Sequence, residues 1–160
     1  GFVGLVVPHL VRLAIGNART TGLELAGDFT ITPTLRLQAS YTVLETRARR
    51  YADPVATATT SAVEAAAPQH WGSVHALWSP GRGHEFDLML RRVGEVPAGK
   101  VPAYTSVDAR YGWHPGRAFD LAVVVQNLFD NRYLEYVSDY FASQLSYQPR
   151  RGYVQGIWRF

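Results

Sequence analysis

The chain has no cysteine among its 160 residues. That excludes a disulfide framework, a thiolate zinc site and a cysteine nucleophile. It is also short of charge: Asp, Glu, Lys and Arg make up 18%, against about 25% in an average soluble protein. Lys and Arg outnumber Asp and Glu only 16 to 13. That small, scattered excess argues against a dedicated nucleic-acid binder. No run approaches the ~18 apolar residues of a membrane-spanning helix. The best stretch, Leu5 to Ile15, is broken by Pro8, His9 and Arg12. The first residue is Gly1, and no basic region leads into an apolar core with a cleavage site. The sequence is therefore read as a fragment or a processed piece, of a length suited to one domain or a large part of one.

What fills the gap is apolar and aromatic. Hydrophobic residues reach 47%, with four Trp, nine Tyr and seven Phe, too many for a disordered tail. Their period is two, the period of strands. Thr21, Leu23, Leu25, Phe29 and Ile31 alternate with Thr20, Glu24, Asp28 and Thr30. Leu35, Leu37, Ala39, Tyr41 and Val43 alternate with Arg36, Gln38, Ser40 and Thr42. The same holds around Phe86–Leu90, Thr105–Trp113, Phe119–Val125 and Val154–Phe160. The stretch from His70 to Ser79 is blurred by Trp71 and Leu77, and the stretch before Gly16 is apolar on both faces. Antiparallel strands are expected near 18–31, 35–48, 70–79, 84–95, 103–114, 118–128 and 152–160.

Tight turns at Thr32-Pro33-Thr34, Pro80-Gly81-Arg82-Gly83 and Pro115-Gly116-Arg117 alternate with longer excursions near 49–69, 96–102 and 128–150. The first excursion holds a low-complexity run, Ala56 to Ser61. Ser61 to Glu64 reads either as a capping box opening a short helix or as a solvated loop. Residues opposed across a hairpin share a sheet face. Equal apolar parity on both arms of each tight hairpin therefore requires odd loops. It also sets Trp78 opposite Phe86 and Trp113 opposite Phe119. A soluble sandwich would alternate too. Short turns at one end with long loops at the other favour an outer-membrane barrel. So does the gathering of aromatics at the short-turn end. The polar face carries Glu24, Asp28, Asp87, Asp108, Asp120, Arg36, Arg91, Arg110 and Arg159, which suits a wet lumen better than a dry core. The fold class is all-β: an antiparallel meander of about seven to eight strands.

Asn127, Leu128, Phe129, Asp130 and Tyr133 form a pattern that resembles the Asn-Leu-Phe-Asp-x-x-Tyr signature of TonB-dependent outer-membrane receptors. Asn17 to Leu25 resembles that family's Gly-x-Glu strand opening, and Pro102 to Asp108 the start of its penultimate hairpin. Pro149-Arg150-Arg151-Gly152, with a strand running to Phe160, is similar to its closing strand, although the family usually reads Pro-Gly-Arg there. The resemblance covers about residues 17–160. It implies a barrel of ~22 strands around an N-terminal plug, as in plugged transporters. On that view residues 1–160 are the C-terminal part of the barrel domain, without the plug and earlier strands. It further implies energised uptake of a scarce bulky nutrient of the iron–siderophore, haem or cobalamin type across the outer membrane of a Gram-negative bacterium. The implied partners are outer-membrane lipid and lipopolysaccharide, the TonB complex through the N-terminal part, the barrel-assembly machinery and a small-molecule ligand. Phe160, with Trp158, resembles the C-terminal signal that the assembly machinery reads. A passive porin without TonB, or a soluble β-sheet binding module, remains as an alternative.

No catalytic, cofactor or metal residue is expected. His70 and His75 fall on opposite strand faces, and His84 with His114 would make only a two-ligand site. Asp108 and Asp120 sit among arginines, which reads as salt bridging, with no nucleophile constellation beside them. The bases Arg47, Arg49, Arg50, Arg91, Arg92 and Lys100 lie toward the long-loop end. They are read either as solvated loop-base charges or as contacts to phosphates of lipopolysaccharide or to an anionic ligand. Ligand contact is expected from residues about 51–68, 97–102 and 131–149, with Tyr133, Tyr136, Tyr140 and Phe141 as aromatic candidates or as rings packed within the loop.

Overall fold

The computed structural model describes residues 2–13, 16–48, 64–129, 132–134 and 147–160, with side chains from Arg19 onward. Arg49, Arg50, the run Ala56 to Ser61, Asp130, Tyr136, Tyr140 and Phe141 lie outside the described residues. So does the capping-box stretch apart from Glu64.

The strands are β1 (Phe2–Leu13), β2 (Gly16–Thr32), β3 (Leu35–Ala48), β4 (His70–Gly81) and β5 (His84–Val93). They continue as β6 (Tyr104–Trp113), β7 (Phe119–Gln126), β8 (Tyr133–Leu134), β9 (Tyr147–Gln148) and β10 (Arg151–Trp158). Eight of them form one antiparallel sheet in the order β1-β2-β3-β4-β5-β6-β7-β10, and β8 pairs with β9. Each of the seven expected strands forms within two residues of its expected bounds. The residues before Gly16, apolar at both parities, pair with β2 from Phe2↔Gly27 to Leu13↔Gly16.

The register separates the two faces. Asp28 with Arg36, Ser40 with Ser73, Asp87 with Arg110 and Asp120 with Arg159 all meet on one side. The other side exposes Leu23, Phe29, Ile31, Tyr41, Val43, Val74, Trp78, Phe86, Leu88, Leu90, Val123, Val154 and Trp158. Leu23 and Glu24 fall on opposite faces. A sheet whose apolar side is this exposed in isolation needs a nonpolar environment there. Burial is concentrated instead at the long-loop end of β6, where Val101, Ser106, Val107, Asn127 and Leu134 are buried.

The first two tight hairpins keep their parity through irregularities beside the turn. A shift between Thr30 and Thr32 precedes Pro33. A shift between Trp78 and Gly81 precedes a turn with Arg82 (φ 53) and Gly83 (φ 76) both in the left-handed region. That sign pattern belongs to the type I′ hairpin turn. Gly83 has a second reason to be glycine: a Cβ there would lie 2.0 Å from the His114 carbonyl oxygen. Trp78 opposes Phe86 as expected, with ring centroids 5.2 Å apart.

The third hairpin differs from expectation. Trp113 opposes Leu121, and Phe119 opposes Trp158 of β10. His114 keeps a backbone bond to the turn before β5, donating to the Gly83 carbonyl at 2.7 Å, and Pro115 has no N–H to continue a ladder. β7 therefore runs on past β6. The same stagger recurs across the sheet. β3 continues from Val43 to Ala48 beyond its last partner on β4, and β4 continues from Trp78 to Gly81 beyond its last on β3. Strands staggered in one direction are what a tilted barrel wall requires.

Candidate functional site

The long excursions meet at one end of the sheet, and several backbone bonds tie them down. Leu44 N–H donates to the Gln69 carbonyl, Gly94 N–H to His70, and Ala98 N–H to Ala65. The Glu64 carboxylate accepts from Ala48 N–H at 2.7 Å. Val96 and Val101 form an antiparallel bridge that tightens the β5–β6 excursion.

The Asn127 motif begins where β7 stops. Asn127 is 3% exposed and adopts φ 51, a conformation in which Asn is among the better tolerated non-glycine residues. Its backbone N–H donates to the Asp108 carboxylate at 2.8 Å, and its side-chain amide donates to the Gln148 carbonyl at 3.0 Å. Leu128 N–H donates to the Val107 carbonyl at 2.7 Å. The motif thus redirects the chain out of the sheet, fastens it to β6 and holds the returning strand β9. Phe129 is exposed. Tyr133 leaves on β8 and stacks on Tyr104, with centroids 4.1 Å apart and planes within 9°.

Beside this stack is a cavity of about 590 Å³, lined by Arg92, Lys100 and Arg132 and by Tyr104, Tyr133 and Tyr147, with no carboxylate among the described residues that line it. Arg92 donates to the Thr105 hydroxyl at 2.8 Å. Three cations, with no carboxylate beside them among the described residues, make this a place for a negatively charged group, and the phenol rings add flat apolar surface with a polar tip. Of the expected ligand residues, Tyr133 is here. Arg92 and Lys100 come from the expected basic cluster, whereas Arg91 points to the other face, 3.9 Å from Asp108, and Arg47 pairs with Glu45 at 2.8 Å near the end of β3. Arg132 and Tyr147 were not singled out from sequence. Only the small β8–β9 hairpin brings them in, and it has no alternation long enough to read.

At the short-turn end the polar face carries a second constellation. Arg110 bonds Asp87 at 2.7 Å and Glu85 at 3.1 Å. His114 uses one ring nitrogen on Glu85 (Nε2, 3.1 Å) and the other on Asp120 (Nδ1, 2.9 Å), and Asp120 also pairs with Arg159. The carboxylates of Asp120 and Glu85 raise the His114 pKa above that of a free imidazole. With both nitrogens engaged, this ring has no lone pair to offer a metal. His84 bonds the Tyr111 hydroxyl on the opposite face at 2.8 Å, so the two histidines are not a pair. Among the described residues no group of three or more His, Asp or Glu is placed to hold a metal ion. The network clamps β5, β6, β7 and β10 together, which is the salt-bridging role read for Asp120.

Residues 4–128 match the family described as TonB dependent receptor-like, beta-barrel. Several solved structures share the fold. The ferric-catecholate import receptor Fiu from E. coli K12 superposes with a TM-score of 0.72 at 18% identity, over 97% of this chain and 24% of that one. FpvAI, solved in complex with pyocin S2, gives 0.70 at 20% identity, over 89% of this chain and 19% of that one. The siderophore receptor PiuA from Acinetobacter baumannii gives 0.67 at 19% identity, over 89% and 22%. The chain thus spans about a fifth to a quarter of the length of these receptors. A comparison with curated proteins finds no match.

Proposed function

The chain belongs to the TonB-dependent receptor β-barrel family, a family of outer-membrane receptors and transporters rather than enzymes, and we propose that it forms the C-terminal part of a receptor for an anionic metal–siderophore complex. In this reading the apolar face meets lipid, the polar face lines the lumen, and the long-loop end faces outside. TonB energises uptake through a part of the receptor outside residues 1–160.

The observation that carries the reading is the cavity of Arg92, Lys100 and Arg132 beside the Tyr104–Tyr133 stack. A metal–catecholate complex is bulky, aromatic and negative. Cations attract it and tyrosine faces pack on its rings. Fiu is a ferric-catecholate import receptor and PiuA a siderophore receptor, which supports a ligand of the siderophore class here. Haem and cobalamin lack that concentration of negative charge and fit the wall less well.

The test is uptake of a radiolabelled iron–catecholate complex by cells expressing the complete receptor, with and without TonB. Saturable uptake that needs TonB is expected. Lys100→Ala with Arg132→Ala should raise the half-saturating concentration about tenfold, the cost of removing charge-assisted contacts. Uptake that persists without TonB would make the protein a passive barrel, and uptake indifferent to the double variant would remove the cavity from the ligand path.

A further inference from the structure

Five residues of the polar face stand in one row across the sheet, each the register partner of the next: Asp28, Gln38, His75, Met89 and Asp108. The two ends of the row are engaged. Asp28 pairs with Arg36 and accepts from the Gln38 amide at 3.2 Å. Asp108 accepts from Asn127 N–H at 2.8 Å and lies 3.9 Å from Arg91. The middle of the row is not. With its amide nitrogen turned to Asp28, Gln38 keeps its carbonyl oxygen free among the described residues. His75 makes no hydrogen bond or ion pair among them.

Met89 is the odd member. It is the single methionine of the chain, and it stands on the polar face of β5 between Asp87 and Arg91, where the alternation calls for a polar residue. It joins no apolar core there. It shares with Gln38 and His75 a cavity of about 370 Å³ whose wall also carries Asp28, Ser40 and Ser73. Neighbouring strands lie ~4.8 Å apart, so the thioether and the amide oxygen flank the imidazole from its two sides. Methionine, unbranched and with three rotatable bonds, can bend over a neighbour. The donors so gathered are one nitrogen, one sulfur and one oxygen, all uncharged.

We propose that Gln38, His75 and Met89 form a binding site for Cu(I) on the lumen wall. A thioether is a soft donor that selects Cu(I), and imidazole suits copper as well. Stripping water from a monovalent ion costs less than from a divalent one, so three uncharged donors suit Cu(I), whereas Zn(II) takes a closed tetrahedral set. Met89 is three residues along β5 from Arg92, which puts the site ~10 Å deeper than the cationic cavity. The proposal rests on the polar face lining the lumen, as given above. It rests neither on the charge of the outer cavity nor on siderophore transport.

The test titrates the complete receptor, purified in detergent under anaerobic reducing conditions, with Cu(I) against a chromophoric Cu(I) chelator. The wild type should hold a single Cu(I) more than H75A/M89L. M89L keeps the bulk and removes the sulfur. It should weaken that site about tenfold or more, because loss of even an outer partner costs ~10–100-fold in metal affinity. Zn(II) at equal concentration should not displace the ion. K100A/R132A, which strips the outer cavity of charge, should bind Cu(I) as the wild type does. Equal Cu(I) binding by wild type and H75A/M89L overturns the proposal, and so does displacement by Zn(II). Loss of Cu(I) from K100A/R132A overturns it too, by moving the ion to the outer cavity. Should H75A/M89L fail to fold, seen as loss of the heat-dependent gel shift, M89L decides alone, and an affinity unchanged from the wild type overturns the site.

Discussion

The backbone N–H of Asn127 is held by the carboxylate of Asp108, 2.8 Å away across 19 positions of sequence. Two segments that resemble separate family motifs, the start of a hairpin and the end of its second strand, thus meet in one hydrogen bond. Asp108→Ala leaves a buried donor without its acceptor and should cost about 1–3 kcal/mol. Asp108→Asn keeps an oxygen there and should cost less. Asn127→Gly keeps the left-handed backbone, whereas Asn127→Ala adds strain of about 1 kcal/mol. Urea unfolding of the refolded receptor in bilayers would measure all four. Equal losses for Asp108→Ala and Asp108→Asn would mean that the bond contributes little.

Gly83→Ala should impair folding severely. The φ of 76 and the His114 carbonyl 2.0 Å from an added Cβ both oppose any side chain. Gly116→Ala, whose Cβ would meet nothing within 4 Å, is the control. A heat-dependent gel shift separates folded from unfolded barrels. The Gly83 variant is expected to show a reduced folded fraction and the Gly116 variant none of that loss.

His114 should make stability depend on pH. Its pKa is raised by Asp120 first and Glu85 second. Protonation therefore favours the folded state. The contribution is complete below the unfolded value, about 6.5, and is lost as pH rises through the higher folded value. Unfolding midpoints should fall from mildly acidic to alkaline pH in the wild type and fall less in His114→Gln. Identical pH profiles would show that the imidazole is not coupled to the two carboxylates during folding.

The Tyr104–Tyr133 stack should be worth about 0.5–1.5 kcal/mol in a double-mutant cycle. The same variants separate packing from ligand contact. If Tyr133 touches ligand, Tyr133→Phe, which keeps the stack, should still weaken binding through the missing hydroxyl. Full binding by Tyr133→Phe, with loss only in Tyr133→Ala, would make the ring a support for the cavity wall.

Phe160 is fully exposed, beyond the last paired residue Trp158, and Arg159 N–H still bonds the Ala118 carbonyl. Deleting Phe160 from the complete receptor should lower the amount assembled in cells while assembled barrels melt normally. Unchanged assembly with a lower melting temperature would make the ring an interfacial anchor, worth about 1–2 kcal/mol.

Much of this was legible because side-chain alternation is a local property. Leu23 against Glu24, or Phe86 against Asp87, needs no knowledge of neighbours. Parity even placed Trp78 opposite Phe86. It failed for Trp113 and Phe119 because parity fixes which face a residue takes and not how far one strand slides along the next. The same blindness hid the His114 cluster. Its partners Glu85 and Asp120 are named by register, whereas nearness of turns pointed to His84, which projects to the other side. Arg132 and Tyr147 escaped because two-residue strands carry no period.

The ladder between β7 and β10 has a mechanical meaning. Eight residue pairs, from Arg151↔Gln126 to Trp158↔Phe119, are joined in parallel. A pull along the strands strains every rung at once, whereas a pull across them at one end opens the rungs in turn, like a zip. This seam is therefore stiff to sliding and weak to peeling. A body dragged through the lumen shears it in the strong direction, and a competing strand that invades from the margin works in the weak one.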